Sequence, residues 1–242
     1  MQLRIFLEKV YIMKRKIMQK LLNWKEKSSG KTALLIEGAR RVGKSYIAEV
    51  FAKENYKSYI LIDFNQAGKD VHALFDNYLR DLDVFFMYLS AIYGVTLYPG
   101  ESLIIFDEVQ LFPRARAAIK YLVADGRFHY LETGSLVSIH ENVDDIVIPS
   151  EERHIKMYPL DFEEFLWAMS EEQLSNVIRM NYESKREMGQ VLHRKCMTLL
   201  RQYIIVGGMP QAVQTYVTTK NFEETDAIKR DILFLYRQDI VK

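Results

Sequence analysis

Short apolar runs alternating with helix-length amphipathic stretches constrain this chain more than any other feature. Strand-like segments fall at 32–37, 58–63, 102–107, 127–132 and 153–157. Helix-like stretches separate them at 44–54, roughly 70–93 and 113–124. That alternation predicts an α/β fold, a parallel sheet covered by helices on both faces. After about Asp161 the strand signal fades, and DFEEFLWAM, EEQLSNVIRM, VLHRKCMTLLRQYIIV and ETDAIKRDILFLYRQ read as helices. The expected organisation is a basic N-terminal helix at 1–30, a core at 31–160 and a helical domain at 161–242.

Within this pattern the stretch SSGKTALLIEGARRVGKS holds one small signal twice, Gly-Lys-Thr at 30–32 and Gly-Lys-Ser at 43–45. A phosphate-binding loop needs Gly-x-x-x-x-Gly-Lys-[Ser/Thr]. Counting back from Gly43 reaches Gly38, whereas counting back from Gly30 reaches Lys25. Only the second copy is complete, and only it stands between a strand and a helix. The predicted nucleotide contacts are therefore Gly38, Ala39, Arg40, Arg41, Val42, Gly43, Lys44, Ser45 and the following Tyr46. Glycines let successive N–H groups turn inward, and a helix N-terminus adds partial positive charge. Lys44 is expected to reach the β- and γ-phosphates of ATP, and the Ser45 hydroxyl to ligate Mg²⁺. The first copy reads as a turn leading into the strand.

The run SLIIFDE is an apolar strand ending in two carboxylates. An acid at the end of a neighbouring strand holds Mg²⁺ in such proteins, which places Asp107 as the second metal ligand beside Ser45. Glu108 is positioned to deprotonate a water, a group that hydrolysis requires and binding alone does not. In RFHYLETGS the strand is expected to end at Thr133-Gly134-Ser135. Thr133 first and Ser135 second are candidates to bond the attacking water or the γ-phosphate; a turn or helix cap would use the same residues.

Composition bounds the rest. The net charge of +1 excludes an overall polyanion binder, and one cysteine, Cys196, excludes an internal disulfide and points to a reducing, cytoplasmic setting. No secretory signal is legible, and the uncharged run Val84–Gly100 is short for a membrane span and is broken by Gly94 and Pro99. The first thirty residues are skewed to lysine and arginine, with Ile17, Leu21 and Trp24 at helical spacing. They read as an amphipathic helix docked on the core, with a basic arm for nucleic acid as the alternative. Met13 is an alternative start that would make 1–12 a poorly structured extension. Arg114 and Arg116 read as a solvated face, Asp63 and Asn65 as a weak nucleotide edge, and His193 with Cys196 as too few ligands for zinc.

Together GARRVGKS, IIFDEVQ, LETGS, ERHIKMYPLDFEEFL and YIIVGGMPQAV resemble the prokaryotic AAA-type ATPases that carry a C-terminal domain of unknown function of the DUF4143 type. The resemblance covers residues 14 to 242. It implies a three-layer αβα P-loop core with a parallel five-stranded sheet of order 5-1-4-3-2, then a helical or winged-helix lid. It implies an ATPase whose turnover moves the lid against an attached domain or a protein partner, with a homo-oligomer possible. Arg153, just before the fifth strand, is implied to reach the γ-phosphate, in its own or a neighbouring subunit. Gly208 and Pro210 of the GGMP turn are implied to contact nucleotide from the lid. Family members continue past Lys242, so a further domain is expected beyond it. The competing readings are a small-molecule kinase, which Asp107-Glu108 disfavours; a GTP switch, for which no Asn-Lys-x-Asp is present; a scaffold with little turnover; and a DNA-stimulated ATPase.

Overall fold

The computed structural model describes residues 13–28, 30–135 and 151–240. The chain divides into two compact units, one formed by Ile17–Pro159 and the other by Leu160 onward together with the residues up to Lys16.

The first unit is built on five parallel strands, β1 (Ala33–Gly38), β2 (Ser58–Asp63), β3 (Ser102–Asp107), β4 (His129–Ser135) and β5 (Glu152–Met157). Their order across the sheet is β2-β3-β4-β1-β5, the expected order read from the other edge. Because all five run the same way, every C-terminal end lies along one rim. The helices of this unit are α1 (Ile17–Ser28), α2 (Lys44–Asn55), α3 (Lys69–Asn77), α4 (Leu82–Tyr93) and α5 (Pro113–Asp125). β1 and β3 are buried at all six positions, which is why they read as continuous apolar runs.

Alternation along the strands assigns the faces. Ala33, Leu35, Ile104, Phe106 and Tyr130 pack with Ala115, Ala118, Ile119 and Leu122 of α5 and with Phe75 and Phe85 of α3 and α4. Trp24 of α1 meets Phe51 of α2, with ring centroids 6.4 Å apart. α1 thus docks through Ile17, Leu21 and Trp24, as its spacing predicted.

Two boundaries differ from the sequence reading. The stretch near 70–93 is two helices, because Asp81 caps a new one by accepting from the Val84 N–H at 3.2 Å. Gly94, at φ +63°, then ends α4. β4 begins two residues later than expected and carries Thr133, Gly134 and Ser135 inside the ladder, where they pair with Ile36, Glu37 and Gly38 of β1.

The second unit is helical among the described residues: α6 (Phe162–Ala168), α7 (Glu172–Ser184), α8 (Gln190–Val206), α9 (Pro210–Thr219) and α10 (Phe222–Ile240). Its core gathers Met13, Leu160, Phe165, Val206, Val213 and Tyr216. PLDFEEFL opens α6 with a capping box, in which the Asp161 side chain accepts from the Glu164 N–H and the Glu164 carboxylate accepts from the Asp161 N–H. The same Glu164 accepts from buried Arg15 and from the Lys16 N–H. The residues before α1 are therefore stitched to this motif.

Candidate functional site

β1 delivers the chain to the loop at Gly38, where only glycine fits. A Cβ there would run into the Met157 carbonyl oxygen of β5 and stand 3.2 Å from Val42 Cγ2. Val42 is fully buried and anchors the loop, while Ala39, Arg40 and Arg41 lie exposed around it. Arg41 at φ +67° and Gly43 at φ +94° bend the backbone through the left-handed region before α2 starts at Lys44. The N–H groups of Lys44, Ser45 and Tyr46, in the first turn of α2, have no partner within the helix, the usual arrangement of an anion-binding helix start.

Lys44 is only 4% exposed and its ammonium donates to the Gly38 and Ala39 carbonyls at 3.2 and 3.1 Å. Burial lowers its pKa, against the opposing pull of Glu108 and Asp107. Tyr46, 38% exposed, follows on the outer side of α2.

β3 and β4 bring the other half. Ser45 Oγ donates to Asp107 Oδ1 at 2.6 Å. The fully buried Thr133 hydroxyl donates to the same Asp107 oxygen and accepts the Glu108 N–H at 3.2 Å. Glu108 sits at φ +54°, a conformation a glutamate adopts at some cost and one that recurs at functional positions. Its carboxylate accepts from the Gln110 side chain, a contact the sequence reading did not anticipate although IIFDEVQ contains it. Ser135 pairs with Gly38 across the β4–β1 ladder and so stands at the loop's edge. The donor set around Asp107 is hydroxyl and carboxylate oxygen, which suits a hard cation such as Mg²⁺ that takes its remaining ligands from phosphate and water. No cluster of three or more His, Cys, Asp or Glu able to hold a metal occurs among the described residues.

Other candidates lie elsewhere. Gly30 forms a turn at φ +78°, with the Lys31 N–H donating to the Ser28 carbonyl, and Thr32 bonds Ser28 and Trp24. The first Gly-Lys-Thr is thus the α1–β1 connection. Asp63 accepts from the Asn65 N–H in a local turn. Arg114 donates to the Phe75 and Asp76 carbonyls at the end of α3.

Arg116 corrects the solvated-face expectation. It is 3% exposed and forks onto Glu152 at 2.8 and 3.2 Å. Arg153 lies inside β5, not before it, and is exposed. It pairs with Leu34, four residues short of Gly38, so it stands about 13 Å back along the sheet from its own loop at ~3.3 Å per residue. Gly208 packs in the helical unit: its carbonyl accepts the Leu160 N–H at 2.7 Å, and a Cβ would strike the Leu160 oxygen. Pro210 is the first residue of α9. GGMP and PLDFEEFL, distant in sequence, are therefore one packed joint. Cys196 Sγ contacts Met188 Sδ at 3.5 Å.

A parallel sheet of this order, a glycine loop from β1 into a helix, and an acid at the tip of β3 bonded to the loop serine define a P-loop nucleotide-binding core. The chain belongs to the AAA domain family, whose match spans residues 30–166, and it is an ATPase-type nucleotide-binding protein. Residues 197–242 match a domain of unknown function, DUF8612. No curated protein matches the sequence. Among solved structures the chain is similar to that of Drosophila ORC bound to DNA, with a TM-score of 0.50 at 11% identity, covering 89% of this chain and 66% of that one. It is also similar to the replication initiator DnaA bound to AMPPCP and single-stranded DNA, with a TM-score of 0.50 at 12% identity, covering 90% and 66%. The chain thus spans just under two thirds of each of those proteins. At such identity the likeness is one of fold. No helix among the described residues is long and apolar enough to cross a membrane.

Proposed function

We propose that the core binds ATP with Mg²⁺ between the Gly38–Ser45 loop and Asp107 and hydrolyses it, and that turnover switches the helical unit and an attached domain or protein partner. The observation that carries the reading is the continuous chain Ser45–Asp107–Thr133–Glu108, which joins the loop, the acid strand and the strand between them. Binding alone explains the first two members. It does not explain a glutamate held in a left-handed backbone next to them.

In this reading Lys44 leaves the Gly38 and Ala39 carbonyls for the β- and γ-phosphates, and the N–H groups at the start of α2 hold the same oxygens. Ser45 and Asp107 hold Mg²⁺, which neutralises charge on the phosphates. Glu108 accepts a proton from the attacking water. Thr133, fixed between Asp107 and the Glu108 N–H, sets the distance between acid and base, and Ser135 lines the same rim. In this reading Arg153 acts across an interface with a neighbouring copy; its register opposite Leu34, about 13 Å back from Gly38 at ~3.3 Å per residue, supports that over a role in its own chain. The contact of Gly208 and Pro210 with nucleotide belongs to the same proposal.

Glu108→Gln tests the assignment, since the amide keeps shape but accepts no proton. The expected result is unchanged ATP affinity and a loss of turnover of roughly 10²-fold or more. Normal phosphate release by the variant would remove Glu108 as base. Asp107→Asn should in addition weaken Mg²⁺-dependent binding.

A second reading, a DNA-stimulated ATPase in the cytoplasm, draws on exposed Lys20, Lys27 and Lys31 at and beside α1, and on the DNA named for the two solved structures. Stimulation by DNA that falls steeply with salt supports it; turnover unmoved by DNA at low salt rejects it.

A further inference from the structure

The chain passes between its two units at Lys16–Ile17 and again at Pro159–Leu160. On the helical side one buried carboxylate, that of Glu164 in α6, holds both crossings. Its Oε1 accepts from Arg15 Nε at 3.2 Å and from the Lys16 N–H at 2.7 Å, and its Oε2 accepts from the Asp161 N–H at 3.2 Å. Arg15 and Lys16 come just before the first crossing, and Asp161 just after the second. Their neighbours are fixed as well. Met13 lies in the apolar core of the helical unit. Leu160 donates its N–H to the Gly208 carbonyl at 2.7 Å, and its own carbonyl accepts from the Tyr203 hydroxyl at 2.8 Å. Lys16 Nζ also reaches Asp161 at 2.6 Å, but those side chains are 40% and 53% exposed, so that pair adds little.

A capping box accounts for one of these contacts, the bond from the Asp161 N–H. The other oxygen of an ordinary cap faces water. Here it is buried on two donors that lie 149 and 148 residues away in the chain. All three partners donate, so both oxygens of Glu164 accept. A carboxylate offers two acceptor oxygens and an amide only one. The crossings lead to opposite ends of the phosphate loop. Beyond Lys16, α1 packs on α2 through Trp24 and Phe51, and α2 begins at Lys44. Before Leu160, β5 ends at Met157, whose carbonyl backs Gly38. One tether therefore runs to the last residues of the loop and the other to its first. A body on a single flexible tether turns in any direction, whereas two tethers fixed to each other leave one hinge axis.

We propose that Glu164 is a positioning residue for the ATPase: it ties the two chain crossings into a double hinge, so that the helical unit moves as a single body when nucleotide occupies the loop. With the tie cut, each crossing follows its own fluctuations, and nucleotide no longer sets the position of the unit. The inference rests on the nucleotide site proposed above.

The test places spin labels on cysteines that replace two exposed tyrosines, Tyr121 of α5 and Tyr182 of α7, with Cys196→Ser. Distance distributions are recorded with and without MgAMPPCP for this labelled parent and for the same protein carrying Glu164→Gln or Arg15→Met. The parent should give a narrow distribution that shifts on binding. Glu164→Gln should give a broad one that nucleotide does not shift, with turnover about tenfold lower and MgAMPPCP affinity within about twofold of the parent. Arg15→Met leaves the cap in place and removes only the guanidinium; it should show the same changes in weaker form, and it decides the matter if Glu164→Gln does not fold. A parent-like distribution and nucleotide shift in the folded variants overturns the role, whatever their turnover. So does a parent that binds MgAMPPCP with no shift. Failure of the parent to bind MgAMPPCP overturns instead the nucleotide site, and the widths of the nucleotide-free distributions still report on the tie separately.

Discussion

Arg116→Met should destabilise the core far more than loss of a surface arginine. The guanidinium donates to both Glu152 oxygens, and the two residues are 3% and 7% exposed. Methionine fills much of the same volume but leaves Glu152 buried without its guanidinium partner and with Glu132 beside it. Removing one member of a buried pair costs about 3–5 kcal/mol, because the other charge stays desolvated. For a chain of this size each kcal/mol moves the midpoint by about 3 °C, so the thermal transition should fall by about 10 °C. Arg116→Met combined with Glu152→Gln should recover more than half of that loss, since the orphaned charge is gone. Circular dichroism melts of the wild type and the two variants measure it. A single-variant loss under about 1 kcal/mol, the level of a solvated ion pair, would refute the reasoning.

Glu132 gives a pH signature. Burial, then the neighbouring Glu152 charge, raise its pKa well above the ordinary 4.5, partly offset by Arg116. The folded state keeps a proton that the unfolded state releases, so this group's contribution is full below about pH 4.5 and declines as pH rises. Relative to wild type, Glu132→Gln should gain about 2 kcal/mol between pH 4.5 and 6, at ~1.4 kcal/mol per unit for one proton; a difference that is constant with pH contradicts it. Gly208→Ala should lower the melting midpoint, because the new methyl meets the Leu160 carbonyl, at about 1–3 kcal/mol for an overpacked site; an unchanged midpoint would show that the joint yields.

The loop and the acid strand were legible because their signals are local. Gly38 to Ser45 is eight consecutive residues, and Asp107-Glu108 ends an uninterrupted apolar run. What was not legible depends on partners far away in the chain. Arg116 looked like a surface residue of an amphipathic helix until β5 brought Glu152 under it, 36 residues on. Glu132 carried no signal in RFHYLETGS; its burial follows from β4 being central, with both its faces covered. The packing of Gly208 on Leu160, 48 residues earlier, was likewise invisible in the GGMP turn. The helix break at Asp81 was available locally, since an aspartate three residues before Val84 is an ordinary cap; the apolar run that follows concealed it.

The central claim, that the second of the two Gly-Lys signals is the nucleotide site, is tested most directly by calorimetric titration of MgATP into the wild type, Lys44→Ala and Lys31→Ala. Lys44 is the buried ammonium inside the loop, and Lys31 is an exposed residue of the α1–β1 turn. The account predicts that Lys44→Ala loses most or all of the binding while Lys31→Ala binds like the wild type. Unchanged affinity in Lys44→Ala, or a loss confined to Lys31→Ala, would contradict it.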